Sequence, residues 1–135
     1  MVKKYEDLEH DDGTVVRYRR HENGGGLVAA GAHVDASAHL APTAWVDPGA
    51  TVAAHARIGA GGWVESGASV GVGAHVATSV HLGHDALVGA GARIGSRTRV
   101  GAGARIAARV VVEPDSEIPD GALVRRGTAS YIRAA

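Results

Sequence analysis

The sequence predicts an all-β chain, a single-stranded parallel β-helix, from three observations. An aliphatic residue stands at every sixth position from Val28 to Val124, seventeen times without interruption. Two places before each of these stands a small or β-branched residue: Ala32, Ala38, Ala44, Ala50, Ala56, Gly62, Ala68, Ala74, Val80 and onward to Ala122. Three places after the aliphatic, Gly, Ser or Asp recurs, as at Gly31, Ser37, Gly49, Gly61, Gly73, Asp85 and Gly103. Strand side chains two apart share a face, so the first two sets point inward together. The third set suits a corner, where the backbone takes left-handed torsions that Gly and Asp tolerate. Each hexad is thus a short strand followed by a bend, and the fixed period marks a repeat architecture rather than a Gly-rich linker.

Three segments follow. Residues 1–26 form a charged start and a Gly-rich junction: residues 1 to 23 hold eleven of the 28 Lys, Arg, Asp and Glu residues, including both lysines, before Gly24-Gly25-Gly26. Within it, Tyr5 to Glu9 and Thr14 to Arg19 are expected to pair as a hairpin across Asp11-Asp12-Gly13, because Asp-Gly suits a tight turn. Residues 27–129 carry the repeat, and residues 130–135 are a short tail. Stacked coils expose unpaired backbone at their ends, so the hairpin is expected to cap the first coil.

Composition narrows the chemistry. Hydrophobic residues make up 45% of the 135-residue chain, yet Phe and Cys are absent and Met occurs once, so the core must be thin and built from Val, Ile, Leu and Ala. Fourteen basic residues balance fourteen acidic ones, which removes the general electrostatic case for nucleic-acid or anionic-membrane partners. Without cysteine there is no disulfide frame, thiol nucleophile or thiolate metal site. The start, Met1-Val2-Lys3-Lys4-Tyr5-Glu6-Asp7, has no apolar signal core, and no eighteen apolar residues run together. A soluble protein of cytoplasmic synthesis is expected, within or outside a larger particle.

Hexads such as Val88-Gly89-Ala90-Gly91-Ala92-Arg93 follow a recognisable order: aliphatic, often Gly, Ala, Asp or Glu, two variable residues, a small one, a variable one. On this order, residues 27 to 129 resemble the hexapeptide-repeat family. The resemblance implies triangular coils of eighteen residues wound left-handed, an exception to the right-handed crossover rule, five to six coils in all, and homotrimers with parallel axes. Ile118-Pro119-Asp120-Gly121-Ala122-Leu123-Val124 resembles the closing segment of many members, and no long terminal helix is expected after it.

With eighteen residues per coil, the outward residue before each aliphatic defines three vertical ladders. One runs Leu27, Trp45, Trp63, His81, Arg99, Glu117; a second runs His33, Thr51, Ser69, Leu87, Arg105, Leu123; a third runs His39, Arg57, His75, Arg93, Val111. Leu27, Trp45, Trp63 and His81 make an apolar stripe that needs a cover, either the N-terminal hairpin or a subunit interface. Arg57, His75 and Arg93 are candidate holders of phosphate or carboxylate groups, against the alternative of solvated or subunit-paired arginines.

The segment His81-Leu82-Gly83-His84-Asp85-Ala86-Leu87-Val88-Gly89 resembles the base-bearing stretch of hexapeptide acyltransferases, with His84 and Asp85 at a coil corner. By that resemblance His84 would deprotonate an amine or hydroxyl that attacks an acyl-coenzyme A thioester, a role suited to a neutral imidazole. γ-class carbonic anhydrases, a second resemblance, place three histidines on such a scaffold. Only His84 matches here, since the other two ligand positions align with Gly71 and Gly89, and no metal site is expected. The coils contain no inserted loop, and a bare prism offers little pocket. The sequence therefore favours a non-catalytic structural or interaction protein: a rigid homotrimer without cofactor that docks on or stabilises a larger assembly, such as a shell or virion decoration-type subunit. The alternative is a small acyltransferase with His84 and Asp85 in its site.

Overall fold

A computed structural model describes the backbone of residues 5–9 and the whole of residues 15–125. Strand β1 (Tyr5–Glu9) pairs antiparallel with β2 (Val15–Arg20), Tyr5 opposite Arg19. The expected hairpin is therefore present, its second strand shifted by one residue. Its turn at Asp11-Asp12-Gly13, the last expected coil residues 126–129 and the tail lie outside the described residues.

β2 pairs antiparallel with β3 (Leu27–Ala29), Arg20 opposite Leu27. The intervening glycines are a lid and not a tether. Gly26 donates its N–H to the Leu40 carbonyl at 3.1 Å, and Leu40 donates to the Asn23 carbonyl at 3.0 Å. A Cβ on Gly24 would lie 2.1 Å from the Leu40 oxygen, and φ there is 105°, so only glycine closes this approach without strain. His21 is buried below the lid and donates from Nε2 to the Ala38 carbonyl at 2.8 Å. The N-terminal segment thus caps the first coil in two ways, by adding strands to one sheet and by covering the open end of the core.

From β3 onward the chain forms a parallel β-helix of two-residue strands. Three sheets result: one of eight strands that includes the hairpin, one of six and one of five. Residues eighteen apart pair in register, for example Trp45 with Trp63, His81 with Arg99 and Ser69 with Leu87. All three ladders expected from the sequence are present. Among the described residues there is no helix long and apolar enough to cross a membrane.

The core is one continuous column. Val28, Leu40, Val46, Ile58, Val64, Leu82, Ile94 and Ile106 are almost completely buried, with Ala38, Ala44, Ala56, Ala68, Ala74 and Ala92 beside them. The small residues stand two places before each branched one and are buried in the same column. Burying each branched side chain contributes about 1.5–3 kcal/mol, and strand N–H groups donate to the next coil, as from His33 to Ala50 and from Trp63 to Val80, both at 2.9 Å.

Corners follow the expected chemistry with one correction. Eight glycines and six other residues, His55, Ser79, Asp85, Arg97, Arg109 and Asp115, take positive φ at the position three after the aliphatic. Ser37 and Thr43 do not. The Ser37 N–H and hydroxyl both donate to Asp35 Oδ1, at 2.9 and 2.7 Å, forming an Asx turn that bends the chain without left-handed torsion. Those bonds hold the Asp35 carboxyl below its usual value. The Ser37 Oγ then accepts the His55 N–H at 2.9 Å, and Thr43 Oγ1 accepts the Gly61 N–H at 2.9 Å. In later coils a backbone carbonyl fills that place, as when Gly73 donates to Ala54.

Candidate active site

The site grows from the corner where the chain leaves the face bearing Trp45, Trp63 and His81. Parallel register puts these rings directly above one another. Trp45 and Trp63 stack with centroids 5.4 Å apart and planes at 27°; Trp63 and His81 stack at 4.4 Å and 15°. Tyr18 of β2 meets the edge of Trp45 at 6.5 Å and 90°. The stripe is therefore half-buried within the chain: the hairpin covers its Trp45 end, and the rings cover one another.

Immediately after the inward aliphatics of this face stand Asp47 and Glu65, eighteen apart and on successive coils. Asp47 is buried and accepts three hydrogen bonds: Oδ1 from Tyr18 Oη and from Trp45 Nε1, Oδ2 from Trp63 Nε1, each at 2.8 Å. This satisfies a carboxylate whose burial would otherwise be costly. Burial, reinforced by the Asp47 carboxylate, pushes the Tyr18 hydroxyl up to about 12.

Glu65 holds two histidines. Its Oε2 is hydrogen-bonded to His81 Nε2, and its Oε1 lies 2.9 Å from His84 Nε2. The Glu65 side chain is 13% exposed, that of His81 23% and that of His84 64%. An ionised carboxylate only accepts, so the nitrogens facing it carry hydrogen. His84 approaches Glu65 as an ion-pair contact, and an Nε2–H form there leaves the Nδ1 lone pair available. A proton taken at Nδ1 produces an imidazolium whose charge lies beside Glu65. A carboxylate–imidazole pair of this kind can act as a general base near neutral pH.

The sequence-predicted residues divide as follows. His84 and His81 come together on Glu65. Asp85 takes the corner conformation with φ of 58°; its N–H donates to the Ser66 carbonyl at 3.2 Å, and its carboxylate lies over Gly67, where an added Cβ would be 2.1 Å from Oδ1. Glu65, not the adjacent Asp85, is the carboxylate partner of His84. Leu27, Trp45 and Trp63 share the His81 ladder. Arg57, His75 and Arg93 are in register and exposed on the third face, across the prism from the Glu65 corner. None of the three forms an ion pair with another described residue. Gly71 and Gly89 bear no donor side chain, and a Cβ at either would lie within 2.6 Å of the next coil's backbone. Among the described residues no three His, Asp or Glu side chains are arranged to hold a metal ion.

Glu65, Asp47 and Tyr18 were not singled out from the sequence. The signal for two of them was there: applying the eighteen-residue stacking to the position after each aliphatic puts Asp47, Glu65 and the corner before His84 in one column beside both tryptophans. Tyr18 had no such signal, because its segment lies outside the repeat.

No family model matches the chain, and no curated protein matches it. Solved structures do. A hexapeptide transferase family protein from Anaplasma phagocytophilum is 20% identical, with a TM-score of 0.50, over 71% of this chain and 67% of that one. Perosamine N-acetyltransferase from Caulobacter crescentus, solved with CoA and GDP-perosamine, is 26% identical with a TM-score of 0.44, over 68% of this chain and 47% of its own. The acetyltransferase domain of PglB from Neisseria gonorrhoeae, solved with acetyl coenzyme A, is 23% identical with a TM-score of 0.40, over 73% and 50%. The chain spans about half the length of these two acetyltransferases. The repeat, the register and the first of these likenesses agree: this chain has the β-helix fold of the hexapeptide-repeat proteins.

Proposed function

We propose that the protein is a small acyltransferase in which His84 is the general base and Glu65 orients it. The observation that carries this reading is the 2.9 Å contact between Glu65 Oε1 and His84 Nε2, at the corner where the His81–Gly89 segment resembles the base-bearing stretch of hexapeptide acyltransferases. His84 Nδ1 takes the proton from an amine or hydroxyl as that group attacks the thioester carbonyl. The tetrahedral intermediate then collapses to an amide or ester and releases the thiol. Acyl-coenzyme A is the proposed donor. Arg99, exposed one strand beyond His81 and lining a shallow groove with Glu117, offers a guanidinium suited to its phosphates.

We prefer this reading to the docking role favoured by the sequence; the approach of His84 to Glu65, where sequence adjacency alone offered His84 and Asp85, supports it. The uninterrupted coils supply no loop to wall the site. A homotrimer, with a second copy of the chain against the exposed side of His84, is the proposed acceptor cleft. The test is acyl transfer from acetyl-coenzyme A to a panel of amino sugars and amines, with His84→Ala as the control. Transfer that His84→Ala abolishes supports the reading; transfer that survives the substitution overturns His84 as the base, and no transfer to any member speaks for the docking role.

A further inference from the structure

We propose that His81 is a positioning residue for His84, held in that role by the ring column of Trp63, Trp45 and Tyr18; this rests on the acyl-transfer reading above. Glu65 has two oxygens, and each meets a different imidazole. A carboxylate held at one oxygen still swings about its terminal torsion, which is broad and two-fold. His81 on Oε2 removes that freedom and leaves Oε1 aimed at His84. Of the two histidines, His81 is the better fixed: it is 23% exposed against 64% for His84, and its ring stacks on Trp63 at 4.4 Å. Trp63 is tied in turn to Asp47, which Tyr18 and Trp45 also grip. An unbroken path of contacts thus runs from the hairpin strand β2 to His84.

Other charged groups face this pair without taking His81's place. Arg99 occupies the next strand beyond His81, Glu117 the one after it, Asp85 follows His84 at the corner, and Asp47 lies one coil before Glu65. Only Glu65 contacts both imidazoles, one on each carboxylate oxygen.

The test compares the full chain with His81→Phe, which keeps a flat ring on Trp63 but removes the N–H, and with His81→Gln, which keeps a donor without a titrating charge. Nitrogen-15 NMR of the His84 ring reads its tautomer, independently of catalysis. In His81→Phe the Nε2–H tautomer is expected to lose its dominance, and kcat for acyl transfer to fall about tenfold with KM little changed. In His81→Gln, which still donates to Glu65 Oε2, the tautomer and kcat are expected to stay near those of the parent. Should His81→Phe not fold, His81→Asn, too short to reach Glu65, takes its place. An unchanged His84 tautomer in a folded His81→Phe or His81→Asn, or a His81→Gln as impaired as they are, overturns the proposal. A changed tautomer in the absence of any acyl transfer leaves the His81 role standing and overturns the acyltransferase reading alone.

Discussion

Glu65 and His84, one coil and one residue apart along the chain, meet at 2.9 Å, Oε1 to Nε2. The eighteen-residue pitch produces this contact: Glu65 opens one corner, and His84 is the second residue of the corner stacked on it. Replacing the carboxylate with an amide tests what the pair does. Glu65→Gln preserves shape and removes the charge that faces His84 Nε2. Acyl transfer is expected to fall roughly 10–100-fold. Activity within about twofold of the parent's would sink the assignment of Glu65.

Tyr18 links pH to stability. Its hydroxyl is pushed from 10 to about 12 by burial beside Asp47, so the folded state favours the neutral form. That contribution is complete below pH 10, the unfolded value, and is lost as pH rises through about 12. Tyr18→Phe removes one of three donors on Asp47 and is expected to cost about 1.5–3 kcal/mol at neutral pH, the range for a hydrogen bond to a charged group. Urea unfolding at pH 7 and pH 11 checks both parts: the two proteins should differ less at pH 11.

Two backbone substitutions should act oppositely. Gly89→Ala puts a Cβ 2.5 Å from the Ala108 nitrogen, and backbone cannot yield as a side chain can. Overpacking of this kind costs about 1–3 kcal/mol. Arg109→Gly relieves a non-glycine residue at φ of 64°, a strain of about 1–2 kcal/mol, offset by the greater freedom of glycine in the unfolded chain. Thermal unfolding should show Gly89→Ala melting well below the parent and Arg109→Gly within a few degrees of it or above.

Ser37→Ala removes the hydroxyl that both binds Asp35 and receives the His55 N–H. The loss is expected to be about 1 kcal/mol, confined to the first coils. Hydrogen exchange at His55 reads it: faster exchange there, with the amides of the later coils unchanged, is the expected result.

Much of the architecture could be read from the chain alone. Seventeen aliphatics at period six leave a strand-and-corner coil as the way to bury them all, and eighteen-residue stacking then assigns Trp45, Trp63 and His81 to one column. The hairpin's two strands were expected from the Asp-Gly turn signal. Corner chemistry was legible wherever glycine stood, and misread at Ser37, where a side-chain hydrogen bond replaced a torsional preference.

The period of the sequence thus determined the fold, the core and the face to which each outward residue belongs, because a repeat fixes position modulo eighteen. Tertiary structure alone decided which carboxylate meets His84. Asp85, its neighbour in sequence, has positive φ and lies over Gly67, whereas Glu65, a full coil away, is brought within 2.9 Å by strand spacing. It also decided that the hairpin's Tyr18 reaches Asp47, since where a segment outside the repeat lies is set by its packing and not by the period.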